Sequence, residues 1–160
     1  MRRQWLYRYR GGKGNSEARV DFSEIDARLL PTIRKNLEEN NISEDRYNIF
    51  HTSLFGGLTG KYDFILSNPP YIDPSLNRTE ESVRKHEPYV ALFGGEKGME
   101  VITEIINQTS SYIEPTGQLW LEHEPEQSAL IMELGHKNNF SVTTHKDQYG
   151  IERYSILVLQ

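Results

Sequence analysis

Strand-like and helix-like segments alternate along most of this chain, and the alternation constrains its fold more than any other feature of the sequence. Apolar residues spaced four apart (Ile25, Leu29, Ile33 and Leu37) predict a helix over residues 24–40. Two further helices are predicted over 98–113 and 125–137, and strands over 18–21, 47–52, 62–66, 118–122, 140–144 and 154–159. Strands that are separated by helices are connected by right-handed crossovers, so the pattern predicts an α/β, doubly wound and mostly parallel sheet.

The last two predicted strands are joined by only a short polar link, so we expect them to form an antiparallel pair at one edge of the sheet. In open α/β sheets, ligands bind beyond the carboxyl ends of the strands. Two features of the sequence fall at such ends. Asp21 follows the first predicted strand, and a proline-rich loop begins at Asn68.

Composition excludes several classes of function. The formal net charge of −5 argues against an extensive nucleic-acid-binding face, and no apolar run approaches the roughly 18 residues that cross a bilayer. The chain has no cysteine, which excludes disulfides, thiol nucleophiles and cysteine-ligated zinc, and fits an intracellular compartment. His123 has acidic neighbours, but its spacing matches no zinc motif, so we predict no metal site and a solvated loop.

The loop Asn68-Pro69-Pro70-Tyr71 follows an apolar strand and carries most of the predicted chemistry. Two consecutive prolines fix φ and remove two N–H donors, which makes the strand exit rigid. The Asn68 side-chain oxygen and the Pro69 carbonyl can then each accept one N–H of an NH2 group without burying a charge. The Tyr71 ring can stack on a flat substrate and favour a nearby sulfonium. The sequence therefore predicts a site that aligns an NH2 nitrogen for an in-line displacement.

Residues 18–160 resemble the C-terminal catalytic part of the PrmC/HemK family of release-factor glutamine methyltransferases. The matching stretches are residues 67–72, Glu87-Pro88, residues 91–95 and Lys97-Gly98. The resemblance implies a Rossmann-like class I methyltransferase fold and the cofactor S-adenosylmethionine. It implies methylation of the Gly-Gly-Gln glutamine of a class 1 peptide-chain release factor to N5-methylglutamine, in translation termination. It also implies an intracellular location, which is mitochondrial in a eukaryote and cytoplasmic otherwise.

The resemblance also assigns roles to the proline-rich loop. It implies that Asn68 and Tyr71 bind the substrate glutamine, and that Pro69 contributes its carbonyl as an acceptor. Asn68, Pro69 and Tyr71 are therefore the expected catalytic residues. Pro70 completes the expected substrate-binding loop.

Cofactor-binding residues are implied in the same way. Asp21 matches the acidic residue after the family's second strand, which hydrogen-bonds the cofactor ribose. Ser53 stands where an acidic adenine contact is common in the family, and Asn68 is expected to lie against the cofactor as well.

Residues 1–17 depart from the family and form an atypical basic segment ahead of a partial methyltransferase domain over 18–160. The family has a strand and a glycine-rich cofactor loop here, whereas this segment has glycines without an apolar strand before them. We therefore expect the first, central strand to be missing, which would leave backbone groups of its neighbours unpaired. Codons for residues 3–10, read one base later, permit Gly-Ser-Gly-Cys-Ile-Ala-Ile-Glu, so a frame shift before residue 18 is our hypothesis for this departure.

Two other functions are compatible with the sequence. The Asn-Pro-Pro-Tyr element is shared with amino-methyltransferases that act on adenine in nucleic acid, although base flipping should be accompanied by a basic face. The chain is also compatible with a truncated product that does not catalyse.

Overall fold

The computed structural model describes residues 3–8, for which only the backbone is considered, together with residues 18–76 and 92–160. Seven strands lie in this part of the chain: β1 Arg3–Arg8, β2 Arg19–Glu24, β3 Tyr47–His51, β4 Tyr62–Asn68, β5 Ile113–Glu122, β6 Phe140–Lys146 and β7 Glu152–Leu159. The α-helices described are α1 Leu30–Glu39, α2 Glu100–Thr109 and α3 Ser128–Lys137. The strands form one sheet in the order β3-β2-β1-β4-β5-β7-β6.

Most strands of the sheet point in one direction. The pairs β2–β3 and β4–β5 are parallel, whereas β1 is antiparallel to both of its neighbours and β7 is antiparallel to β5 and β6. Only β1 and β7 among the described strands therefore oppose the other five. The predicted α/β class, the mostly parallel sheet and the antiparallel edge pair are confirmed.

The prediction that the central strand is missing is wrong, because β1 occupies the position between β2 and β4. Leu6 pairs with Asp21 on one side and with Ile65 on the other. The backbones of β2 and β4 need hydrogen-bond partners in the middle of the sheet, and the aromatic-rich segment around Leu6 is a favourable strand sequence. The strand runs antiparallel to both neighbours, however, so it does not have the parallel direction that crossover connections give.

One face of the sheet packs against α2 and α3. Apolar side chains from these helices and from four strands form a single buried cluster that includes Ile65, Ile102, Ile106, Leu119, Leu121, Ile131, Phe140 and Leu157. Burying each such side chain contributes about 1.5–3 kcal/mol relative to leaving it exposed. The cluster therefore fixes β4 and β5, whose carboxyl ends carry the site. In the described ranges, no helix has the length and apolar character needed to cross a membrane.

The helix predicted from residue 24 begins later, at Leu30. Glu24 is the last residue of β2, and Asp26 caps an intervening 3-10 turn by accepting the Arg28 N–H at 3.0 Å. Pro31 lies in the first turn of α1, where its missing N–H has no helical partner to lose. Strand β2 is therefore longer than predicted, and its end moves from Asp21 to Glu24.

Candidate active site

The carboxyl ends of β2, β4 and β5 lie side by side at one edge of the sheet. The last residues of β2, β4 and β5 are Glu24, Asn68 and Glu122, respectively. The register of the strand pairs places these three residues in one row across the sheet. This edge therefore combines one neutral amide with two carboxyl groups. It is the edge at which open α/β sheets bind their ligands.

The proline-rich loop Asn68-Pro69-Pro70-Tyr71, called the proline corner below, leaves two polar acceptors available for a ligand. Asn68 is exposed, whereas Pro69 and Pro70 are buried and anchor the loop. Within residues 18–76 and 92–160, neither the Asn68 side chain nor the Pro69 carbonyl has a hydrogen-bond partner. The described structure thus leaves two neutral acceptors next to two buried prolines.

The loop that contains Leu92 and Gly94 holds the chain after the proline corner through two backbone hydrogen bonds. The Ile72 N–H donates to the Leu92 carbonyl at 3.0 Å, and the Gly94 N–H donates to the Ile72 carbonyl at 3.0 Å. A Cβ atom at Gly94 would lie 2.4 Å from the Pro70 carbonyl oxygen, so only glycine fits here without displacing the corner. The Phe93–Gly95 part of the family-like motif is therefore a structural support, while Glu87, Pro88 and Ala91 lie outside the described residues.

Tyr71 is held by its hydroxyl. The ring is half-buried against the core, and the hydroxyl donates a hydrogen bond to Glu122 Oε1 at 3.1 Å. Burial, followed by the negative charge of Glu122, raises the pKa of the Tyr71 phenol above its ordinary value. Tyr71 therefore stays protonated as a donor. Sequence reasoning missed Glu122, although its position as the last residue of a strand at the ligand-binding edge was a usable signal.

A cleft of about 400 Å³ opens beside Asn68. It is lined by Leu66, Ser67, Asn68, Trp120, Leu121, Glu122, Arg153 and Tyr154. The rings of Trp120 and Tyr154 stack at a centroid distance of 5.6 Å, and the Arg153 guanidinium forms an ion pair with Glu124 at 2.7 Å. The cleft offers flat aromatic surfaces and polar groups next to the Asn68 amide, which suits a planar side chain that carries an NH2 group.

The structure places Asp21 inside β2, three residues before the end of the strand. Its carboxylate accepts hydrogen bonds from the Tyr62 hydroxyl at 2.6 Å and from the Asn48 side-chain amide at 2.8 Å. The acidic residue at the carboxyl end of β2 is Glu24, which is only 2% exposed and accepts the Asp26 N–H at 2.8 Å. Glu24, and not Asp21, is therefore the acidic residue at the carboxyl end of β2.

Ser53 lines a small hollow between the ends of β2, β3 and β4, which also includes Ser23, Pro69 and Pro70. The enclosed volume is about 20 Å³, which is room for about one water molecule, so a nucleoside cannot enter unless the lining residues move. The hydroxyls of Ser23, Thr52 and Ser53 in this lining can bond to the hydroxyl and amino groups of a nucleoside.

The direction of the central strand places its last residue at the edge of the sheet opposite the ligand-binding edge. Because β1 is reversed, Arg3 pairs with Asn68 at the ligand-binding edge, and the chain leaves β1 at the opposite edge, where Arg8 pairs with Arg19. The glycines of the atypical basic segment fall in residues 9–17, outside the described part.

His123 is buried, so the prediction of a solvated loop is wrong. Its Nδ1 lies 2.9 Å from the Glu124 carbonyl, which only accepts, so Nδ1 carries the proton and Nε2 accepts from the Ser155 hydroxyl at 2.8 Å. Burial lowers the pKa of the His123 imidazole, which keeps the ring neutral. His123 thus fixes the chain between Glu122 and Glu124.

Comparison with solved structures identifies the fold. A methyltransferase from Pyrococcus furiosus superposes with a TM-score of 0.63 at 22% identity, over 87% of this chain and 61% of that one. The family model of the methyltransferase small domain matches residues 11–85. The chain therefore has the fold of the class I methyltransferases.

The proteins that resemble this chain in sequence have more specific names than the structures that share its fold. The release factor glutamine methyltransferase of Yersinia pestis is 32% identical over 127 residues, which are 79% of this chain and 45% of that protein. The ribosomal protein uL3 glutamine methyltransferase of Neisseria gonorrhoeae is 30% identical over 123 residues, which are 77% of this chain and 37% of that protein. The resemblance to the release-factor glutamine methyltransferases is confirmed, and the chain spans less than half the length of these two relatives.

Proposed function

We propose that this chain is the catalytic part of an S-adenosylmethionine-dependent methyltransferase that modifies the side-chain nitrogen of a glutamine in a protein. The proposed substrate is the Gly-Gly-Gln glutamine of a class 1 peptide-chain release factor. The observation that carries this proposal is the rigid corner at Asn68 and Pro69, which presents two acceptors without partners in the described structure beside a cleft of about 400 Å³.

An amide nitrogen is a weak nucleophile because its lone pair is delocalised into the carbonyl group. In our proposal, the Asn68 side-chain oxygen and the Pro69 carbonyl each accept one N–H of the glutamine, which orients the nitrogen. S-adenosylmethionine supplies an electrophilic methyl group when bound. The two acceptors are neutral, as is the amide, so the contacts between them bury no additional charge. The Tyr71 ring, whose hydroxyl donates a hydrogen bond to Glu122, packs against the glutamine amide in this proposal.

The Glu24 carboxylate is the proposed partner of the cofactor ribose, with Ser53 near the base and Asn68 near the reacting end. Glu24 fits this role because it lies at the carboxyl end of β2 in the same row as Asn68. Asp21 does not, because its two oxygens bond to Tyr62 and Asn48 within the sheet.

Changing Glu24 to glutamine is expected to weaken the binding of S-adenosylmethionine by about ten- to a hundredfold. A hydrogen bond to a charged acceptor contributes about 1.5–3 kcal/mol, and the substitution removes the charge while it preserves the shape. Titration calorimetry with the 160-residue chain checks the effect. Asp21→Asn is the matched control, and we expect it to lower the thermal midpoint with less than a threefold effect on binding. A larger loss of affinity in Asp21→Asn than in Glu24→Gln would contradict our assignment of the ribose contact.

The substrate is tested by offering three acceptors together with S-adenosylmethionine: a class 1 release factor, ribosomal protein uL3 and an adenine-containing oligonucleotide. Peptide mass spectrometry is expected to locate one added methyl group on the glutamine of Gly-Gly-Gln. Modification of uL3 alone would retain glutamine chemistry but change the substrate, an alternative that the relative from Neisseria gonorrhoeae supports. Modification of the oligonucleotide alone would overturn the proposal in favour of adenine chemistry.

A further inference from the structure

Gln127 is a buried polar residue to which neither the proposed chemistry nor the cofactor site assigns a role. It ends the 3-10 turn Pro125–Gln127 that precedes α3, and it is 3% exposed. Its side-chain Nε2 donates to the Tyr71 carbonyl at 2.7 Å and to the Lys97 carbonyl at 3.0 Å, while Oε1 accepts the Glu124 N–H at 3.0 Å. A single amide therefore joins three segments that are remote in the sequence.

The surrounding backbone is shaped to bring those two carbonyls to one NH2 group. Lys97 adopts a positive φ of 54°, which is unfavourable for a residue with a side chain. Gly98 follows with a φ of 68°, and a Cβ atom there would lie 1.9 Å from the Tyr71 carbonyl oxygen and 2.4 Å from Gln127 Nε2. The loop after Asn68 and the loop before α2 are thus in direct contact at the Gln127 amide.

Tyr71 is consequently held at two points, its carbonyl by Gln127 and its hydroxyl by Glu122. These two bonds determine where the corner at Asn68 ends and how the Tyr71 ring is oriented. Only an amide fits between these partners, because the site needs two donors on one atom and an acceptor on the other. A carboxylate would place negative charge against two carbonyl oxygens.

We propose that Gln127 is a positioning residue for methyl transfer, which holds the substrate-binding loop in its active geometry through the Tyr71 carbonyl. The part that concerns catalysis rests on the proposed function. The part that concerns loop geometry does not, so separate measurements can test the two parts.

Hydrogen exchange with mass spectrometry tests the geometry in Gln127→Glu and Gln127→Met. At pH 7 we expect at least tenfold faster exchange than in the wild type in peptides that cover residues 71–76 and 92–98, with β6 and β7 unchanged. The control is Thr109→Val, because Thr109 is buried and donates to the Ile105 carbonyl at 2.8 Å within α2. Equal exchange of the two loops in the Gln127 variants and in Thr109→Val would overturn the proposal.

Steady-state kinetics on a Gly-Gly-Gln peptide test the catalytic part. We expect kcat to fall by about a hundredfold in both Gln127 variants, with KM changed less than threefold. Displacing a group that positions the substrate by about 1 Å lowers the reaction rate by about this factor. In Gln127→Glu, the buried carboxyl faces two carbonyl oxygens, which raises its pKa, and the protonated form regains one donor for Tyr71. Its defect should therefore shrink as the pH falls from 8 to 6, whereas that of Gln127→Met should stay constant.

Two outcomes separate this inference from the function on which it rests. If the wild-type chain transfers no methyl group to the peptide, the proposed function fails, while the exchange data still decide whether Gln127 fixes the loop. If the wild type is active and the variants loosen the loop but retain their kcat, Gln127 is a structural residue only and the inference is wrong.

Discussion

Replacing Gly98 with alanine is expected to lower the free energy of unfolding by about 3 kcal/mol or more. The new Cβ would lie 1.9 Å from the Tyr71 carbonyl oxygen and 2.6 Å from its carbonyl carbon, and backbone atoms cannot move aside as a flexible side chain can. Two loops would have to separate, and their hydrogen bonds to Gln127 would be lost. Urea denaturation of wild type and variant measures this change.

Gly57→Ala is the matched control for this experiment. Gly57 has a φ of 74°, close to the 68° of Gly98, but nothing lies within 4 Å of the position of its Cβ. It should therefore show only the cost of a left-handed residue with a side chain, about 1–2 kcal/mol. Equal destabilisation in the two variants would mean that the contact with Tyr71 does not constrain the loop.

Changing Asn68 to alanine is expected to reduce kcat for the release-factor peptide by about a hundred- to a thousandfold. Removing one preorganised polar group that orients or stabilises a reacting centre has an effect of this size. The fold should be unaffected, because Asn68 is exposed and its side chain has no hydrogen bond to the described residues. Single-turnover methyl transfer at saturating cofactor measures the chemical step.

Asn36→Ala is the control for the Asn68 variant, since Asn36 is also exposed but lies on α1 away from the ligand-binding edge. It should keep at least half of the wild-type rate. An Asn68→Ala variant that is as fast as Asn36→Ala would exclude Asn68 from the chemistry.

The proline corner was predictable because its geometry is local. Two consecutive prolines restrict the backbone whatever surrounds them, and the apolar strand before them fixes which end of the sheet they occupy. The strand order and the partners of Tyr71 are different, since they depend on residues far along the chain. Glu122 and Gln127 contact Tyr71 across more than 50 residues of sequence.

The predicted boundary between the first strand and the first helix was wrong. Starting the helix at residue 24 ended the preceding strand at Asp21 and put that carboxylate at the ligand-binding edge. Pro31 contained the signal for a later start, because proline is favourable in the first turn of a helix and costly further in. With α1 beginning at Leu30, the strand reaches Glu24 and the candidate ribose partner changes.

The predicted and observed structures also differ at Ile113 and His123, two buried residues whose surroundings the neighbouring sequence does not indicate. Ile113 matches the apolar face of the preceding helix, but α2 ends at Thr109 and Ile113 begins β5, where it is equally buried. His123 has charged neighbours, yet its N–H bonds to the Arg153 carbonyl at 2.9 Å and its ring to Ser155, both of which are on β7. Antiparallel pairing with a later strand buries this histidine.

The central strand was the least predictable element. The sheet requires a partner for both β2 and β4, but this requirement does not specify the direction of that partner. Residues 3–8 satisfy it in the antiparallel sense. Composition alone gave these residues a basic character and no apolar run, so they were not predicted to form a strand.

The most direct test of an amide-binding corner is nuclear magnetic resonance of a Gly-Gly-Gln peptide labelled with ¹⁵N in the glutamine side chain. On titration with the wild-type chain, both NH2 protons are expected to move downfield, because the Asn68 oxygen and the Pro69 carbonyl each accept one of them. With Asn68→Ala, one of the two should return toward its position in the free peptide. If saturating wild-type chain shifts the peptide backbone signals but leaves both NH2 protons at their free positions, the corner does not hold the glutamine amide.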